Sequence, residues 1–366
     1  MIYFASCFVV GLLATLLIMR SSMRHSHLST DHDLSGPQKF HGRPVPRVGG
    51  AGIMVALVAG GVIAQVDGSA TSQSLWLLIV CSLPAFVTGI AEDLTKNVSP
   101  RRRLFATAIS ASMGIGLLGA VITRTDIPGV DQLIGWFPLA LLLTVFVITG
   151  VANAVNIIDG FNGLASMCVL MMTLALGYVA FQVGDTFVFT ASLVTAGAVL
   201  GFFVWNFPAG LIFLGDGGAY LLGFLLAELS VLLIHRNASV SPIFALLLCA
   251  YPIFETVFTM YRRKVVRGVA TAAPDGIHLH TLIHRRLIRW TLVENPERRR
   301  LTRRNSMTSP YLWMLCLASV VPSLLWWNST VVLSWFLLLF VVTYLWLYTR
   351  IVRFKTPRWL IFRRHR

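Results

Sequence analysis

Of the 366 residues, 56% are hydrophobic and only 12% are charged. That balance excludes an ordinary soluble domain and predicts an all-α, polytopic integral membrane protein. A formal net charge of +15 would suit a nucleic-acid binder, but the basic residues lie in segments flanking apolar stretches, where topology and anionic headgroups explain them, so no nucleic-acid partner is expected.

A transmembrane helix needs ~20 apolar residues. Eleven stretches are candidates: 1–19, 51–66, 75–91, 104–123, 133–152, 164–183, 186–205, 217–234, 241–261, 310–327 and 330–349. The first lacks a basic start and a clear cleavage site, so it reads as a retained helix. With connections taken alternately, one side receives 28 of the 30 Lys and Arg residues, the exceptions being Arg124 and Arg236. By the positive-inside rule the N-terminus is then periplasmic and the C-terminus cytoplasmic. The reading is a single transmembrane catalytic domain over 1–350, with a long cytoplasmic loop at 262–309 and a basic tail at 351–366. Within that loop, 281–293 has the pattern of a short amphipathic helix on the membrane surface. The five cysteines all fall in apolar stretches without CxxC spacing, which implies packing and not metal or disulfide chemistry.

The polar clusters fall on the predicted cytoplasmic side. Before the second stretch, Lys39-Phe40-His41-Gly42-Arg43-Pro44-Val45-Pro46-Arg47 holds basic residues between prolines, which suits an anionic headgroup or a topology signal equally. The third stretch ends in Glu92-Asp93, with Lys96 on the same helical face. Adjacent, partly desolvated carboxylates favour a cation, a shared proton or a basic partner. The fifth stretch runs into Asn153-Ala154-Val155-Asn156-Ile157-Ile158-Asp159-Gly160-Phe161-Asn162-Gly163, whose amides, carboxyl and glycines are costly beside hydrocarbon unless they serve a ligand, an ion or helix capping. Trp205-Asn206 closes the seventh stretch, and Gly215-Asp216-Gly217-Gly218 opens the eighth. Asp216 is placed like an N-cap, while its glycines would let a pyrophosphate or hydrated metal approach the helix terminus. In the long loop, His278-Leu279-His280 and His284-Arg285-Arg286 form a candidate phosphate clamp.

Taken together and in this order, these clusters resemble the polyprenyl-phosphate N-acetylhexosamine-1-phosphate transferase superfamily. The likeness runs from about Lys39 to His284. It rests on Pro46-Arg47-x-Gly49-Gly50, on Glu92-Asp93 with Lys96, on Asn153-x-x-Asn156-x-x-Asp159-Gly160-x-x-Gly163, on Phe213-Leu214-Gly215-Asp216 and on His278-x-His280. Departures are Glu92 for the usual first Asp, Asn162 for the second Asp of Asp-Gly-x-Asp-Gly, and Thr281 for a third histidine. An acid usual after the proline of the ninth stretch is present as Glu255.

The resemblance implies transfer of N-acetylhexosamine-1-phosphate from a UDP-sugar to undecaprenyl phosphate at the cytoplasmic face of a bacterial inner membrane. UMP would be released, and the lipid would carry the first sugar of an O-antigen, common-antigen or capsule-type polymer. It also implies Mg²⁺, or Mn²⁺ in its place, on Asp216 and Asn156. Catalytic roles fall to Glu92, Asp93, Lys96, Asp159, His278 and His280, and substrate-binding roles to His41, Arg43, Arg47, Asn153, Asn162, Asn206 and Arg285. Membrane lipids are expected neighbours, and a homodimer is compatible with the sequence. A non-catalytic lipid or small-molecule transporter is the alternative, with buried acids such as Glu228 and Glu255 in its favour. Clustering at one face speaks against it, since transport sites usually lie near the midplane.

Overall fold

The structure, a computed structural model, describes residues 1–24, 45–266, 268, 277–288 and 297–353. Among these residues the elements are helical: α1 (Ile2–Arg24), α2 (Gly49–Val66), α3 (Ser72–Thr95), α4 (Pro100–Leu118), α5 (Val130–Ile134), α6 (Phe137–Ile158), α7 (Leu164–Gln182), α8 (Thr186–Asn206), α9 (Gly215–Arg236), α10 (Pro242–Leu248), α11 (Ala250–Tyr261), α12 (Leu279–Arg286), α13 (Glu297–Leu325) and α14 (Thr330–Val352).

Nine of the described helices are long and apolar enough to cross a membrane, or ten if the pair α10 and α11, bent by 71°, is one broken span. With that pair counted as one span, ten of the eleven expected stretches are among them. The eleventh is α4, a helix of 19 residues whose first turn carries Arg101, Arg102 and Arg103; basic residues at a helix end belong at the membrane surface, so α4 still fits the expected alternation of sides. The protein is a multi-pass membrane protein. His41 and Arg43 lie outside the described residues, as do the tail beyond 353 and the part of the predicted 281–293 helix beyond 288.

Helix ends follow local chemistry. Proline stands in the first turn of α4, α6 and α10, where the missing N–H costs nothing. The Asp185 carboxylate caps α8 by accepting the Val188 N–H at 3.0 Å. Gly163, at φ +71°, supplies the left-handed turn between α6 and α7.

The centre of the bundle is α9, in which every residue from Gly215 to Leu233 is buried. It packs on α3 and α6, while α1 packs on α2 and α8. Backbones at one end of α9 come unusually close. A Cβ on Gly89 of α3 would lie 2.5 Å from the Gly217 Cα, and one on Gly50 of α2 would lie 2.3 Å from the Gly218 nitrogen. Small residues that let helices touch backbone to backbone are how helices bind tightly in lipid, where the hydrophobic effect supplies little. The chain before α2 is tied to the same end: Phe213 donates its N–H to the Pro46 carbonyl at 2.8 Å, and Gly49 and Gly50 donate theirs to Phe213 and Leu214 at 3.0 Å. At that end the polar side chains collect.

Candidate active site

Asp93 ends α3 with its carboxylate at the start of α9. Its Oδ1 accepts the Asp216 N–H and its Oδ2 the Gly217 N–H, each at 2.9 Å. These are first-turn amides with no partner inside their own helix, and they carry the positive end of its dipole. Gly215, at φ +76°, makes the approach possible, because a Cβ there would lie 2.5 Å from the Asp93 Oδ2. The Arg47 Nε stands 3.9 Å from Asp93, and its Nη2 stands 3.6 Å from Asp216. One guanidinium thus spans both carboxylates.

Asp216 receives further partners. Asn156 donates its Nδ2–H to Oδ1 at 3.0 Å, and the Arg103 guanidinium is paired with Oδ2. Arg103 also lies over the Tyr220 ring at 5.7 Å, and the Tyr220 hydroxyl donates to the Asn153 Oδ1 at 3.1 Å. These residues make an acidic floor threaded by two arginines. Asp159, half-buried at the end of α6, is close enough to feel Arg47. Burial pushes its carboxyl up to about 7, with Arg47 pulling the other way.

The opposing wall comes from α12. The rings of His278 and His280 stack at 5.0 Å, and the His280 Nε2 points at the Asp159–Gly160 turn, only 3.1 Å from where a Gly160 Cβ would stand. Phe161 packs between His280 at 5.5 Å and His284 at 5.1 Å. Burial, reinforced by His278, pulls His280 down to about 3, and burial with Arg304 pulls His284 down to about 4. Both are neutral at pH 7, so they offer hydrogen bonds and shape but no charge. Behind the turn, α13 holds its backbone: the Asn305 Oδ1 accepts the Asn162 N–H at 2.8 Å, Ser309 donates to the Asn162 carbonyl at 2.6 Å and Trp313 to the Gly163 carbonyl at 3.1 Å.

The structure therefore brings together Arg47, Asp93, Asn153, Asn156, Asp159, Asp216, His278 and His280. Glu92 turns aside and accepts the Val98 N–H at 2.7 Å, closing the turn after α3. Lys96 is exposed in that turn at φ +57°, and Arg285 is exposed on α12. Asn162 and Asn206 are buried in loop-holding bonds. The Asn162 Nδ2 donates to the Ser306 Oγ at 3.2 Å, and the Asn206 side chain accepts the Gly163 N–H at 2.6 Å and donates to the Ile212 carbonyl at 2.8 Å. Arg103 and Tyr220 join the site without having been singled out for it from sequence, and Glu255, the acid noted after the proline of the ninth stretch, stands behind the histidine wall.

The donor set suits a hard divalent cation: a carboxylate from Asp216 and a carboxamide oxygen from Asn156, with no thiolate nearby. Arg103 already puts positive charge against the Asp216 Oδ2. No group of three or more His, Cys, Asp or Glu residues gathers as a metal cage among the described residues.

Residues 75–234, which span α6, most of α3 and α9 and the floor apart from Arg47, match the family model described as glycosyl transferase family 4. Over 283 residues the chain is 30% identical to a probable undecaprenyl-phosphate N-acetylglucosaminyl 1-phosphate transferase of Bacillus subtilis, covering 76% of this chain and 77% of that one. The chain belongs to glycosyl transferase family 4. A second relative, the undecaprenyl-phosphate alpha-N-acetylglucosaminyl 1-phosphate transferase of Thermotoga maritima, is 30% identical over 70% of this chain and 74% of its own. The decaprenyl-phosphate N-acetylglucosaminephosphotransferase of Mycobacterium tuberculosis is 28% identical over 68% and 69%. As a family 4 member, the protein is a transferase.

Proposed function

We propose that this transferase moves N-acetylhexosamine-1-phosphate from a UDP-sugar to undecaprenyl phosphate, at the cytoplasmic face of a bacterial inner membrane, as the first step of a cell-surface polysaccharide. The observation that carries the reading is the Asp93–Asp216–Asn156 floor with Arg47 and Arg103 upon it. Oxygen donors and fixed positive charge in one buried site are what a diphosphate and a phosphate monoester need to approach each other. The names of the relatives point to the same donor and acceptor classes.

In the reaction, a lipid phosphate oxygen bonds to the sugar-linked phosphorus. The bridging P–O bond breaks, and its electron pair leaves on UMP. A phosphate monoester has its second pKa near ~6, so the attacking oxygen is largely ionised at neutral pH and positioning dominates. Asp93 holds the first turn of α9 so that Asp216 presents its carboxylate. Arg47 and Arg103 can exchange carboxylate for phosphoryl oxygens as charge moves toward the leaving nucleotide. His278 and His280 face the diphosphate from the wall and screen it from water. Asp216 and Asn156 would hold Mg²⁺, or Mn²⁺, which when bound neutralises phosphoryl charge.

The test is chromatography of a reaction with UDP-GlcNAc, undecaprenyl phosphate and Mg²⁺. Lipid-dependent UMP is expected, and added UMP should regenerate the UDP-sugar, because one pyrophosphate bond replaces another. UDP as the sole nucleotide product, or no turnover with any UDP-N-acetylhexosamine, refutes the reading.

A further inference from the structure

Glu255 lies on α11, beyond the 71° bend from α10, and is 1% exposed. A carboxylate in such a place is costly unless its oxygens are taken up by donors. Here they are. Oε1 accepts the Leu279 N–H at 3.1 Å and faces the His278 Nδ1 at 3.0 Å, while Oε2 accepts the Tyr344 hydroxyl at 2.6 Å. Tyr344 is itself fully buried on α14 and boxed by Phe254 at 4.9 Å and Phe258 at 5.7 Å. The carboxylate therefore stands at the junction of α11, α12 and α14.

Two consequences follow from those bonds. The Leu279 N–H is one of the first-turn donors of α12 that has no intrahelical partner, so Glu255 caps α12 from outside and fixes where the helix begins. The Nδ1 of His278 faces the Glu255 Oε1 at 3.0 Å and the Thr259 hydroxyl at 3.2 Å; the hydroxyl can accept or donate but the carboxylate only accepts, so the ring carries its proton on Nδ1. Its Nε2, on the opposite edge of the imidazole, faces away from Glu255. The stacked His280, at an interplanar angle of 12°, holds the ring plane.

We propose that Glu255 is a positioning residue, which with Tyr344 sets the tautomer and aim of His278 toward the diphosphate of the nucleotide sugar. This rests on the function proposed above. Glu255 touches no reacting atom; its effect passes through His278. A carboxylate that orients an imidazole typically contributes about 10- to 100-fold in activity.

The experiment is a double-mutant cycle on kcat and KM for UDP-GlcNAc, using Glu255→Gln, His278→Ala and the double variant. Glu255→Gln should lower kcat/KM by about 10- to 100-fold. The double variant should be no worse than His278→Ala alone, because the partner through which Glu255 acts is already gone. Losses that multiply, or a Glu255→Gln variant within about twofold of wild type, overturn the proposal. If Glu255→Gln does not fold, Tyr344→Phe carries the test: it should cost about 2- to 10-fold, and only when His278 is present. A second readout needs no turnover. In ¹⁵N spectra of the wild-type protein, with His278 assigned by its loss in His278→Gln, the ring should be protonated on Nδ1, and an Nε2–H tautomer overturns the proposal. A wild-type protein that makes no UMP would sink the proposed function and leave this tautomer test standing.

Discussion

Replacing Gly89 with alanine should uncouple the two acids of the floor. The new Cβ would lie 2.5 Å from the Gly217 Cα and 2.6 Å from the Gly217 nitrogen, where ordinary contact is 3.4–4 Å. Both obstacles are backbone, so no side chain can swing away, and α3 must retreat from α9 by about 1 Å. Overpacking of this kind costs about 1–3 kcal/mol, which the bundle should survive. The bonds from Asp93 to the Asp216 and Gly217 amides, both 2.9 Å, would then stretch to about 4 Å and cease to be hydrogen bonds. A misplacement of ~1 Å at a reacting centre costs up to ~10²-fold. The assay is kcat/KM for UMP release, read beside thermal unfolding in detergent. Gly116→Ala is the control, since nothing lies within 4 Å of its added Cβ. A folded Gly89→Ala protein with wild-type kcat/KM would refute the claim that the α3–α9 contact sets the geometry of the site.

Asp216→Asn should lower turnover by at least ~10²-fold while the protein still inserts, and near-normal rates at saturating Mg²⁺ would remove Asp216 from the metal site. Cysteine at exposed Asn97 should be labelled only from the cytoplasm and at exposed Gln132 only from outside; the five native cysteines are buried and give little background. Labelling of both from one side breaks the topology. His280 and His284 titrate below their usual value, so the unfolded chain binds protons first on acidification, and stability is lost as pH falls from about 6.5 toward 4. His284→Gln should flatten the melting temperature over that window, and an unchanged slope excludes His284 as a source.

The sequence carried the acids but not their partners. Glu92 and Asp93 are equivalent as a string; only the α3–α9 packing shows that Asp93 reaches the amides of residues 216 and 217 while Glu92 caps a local turn. Arg103 read as topology charge because Tyr220 and Asp216, its partners, lie more than a hundred residues away. Asn162 and Asn206 looked like ligands because polar residues near hydrocarbon suggest function, yet the backbone of a tight turn has the same need for polar partners. Glu255 was legible as the acid after the proline of the ninth stretch, but its donors were not, since they come from α12 and α14.

The glycine contacts of α2, α3 and α9 also divide the labour of the enzyme. Asp93 is bonded to the backbone of the helix that carries Asp216, so the two acids travel as one rigid body whatever surrounds them. A floor built that way has a fixed gauge: the spacing of its two carboxylates is set by backbone and not by side-chain choice. Variation that leaves the gauge untouched has therefore to fall on the other side, among the side chains of α12 and the turn that α13 grips.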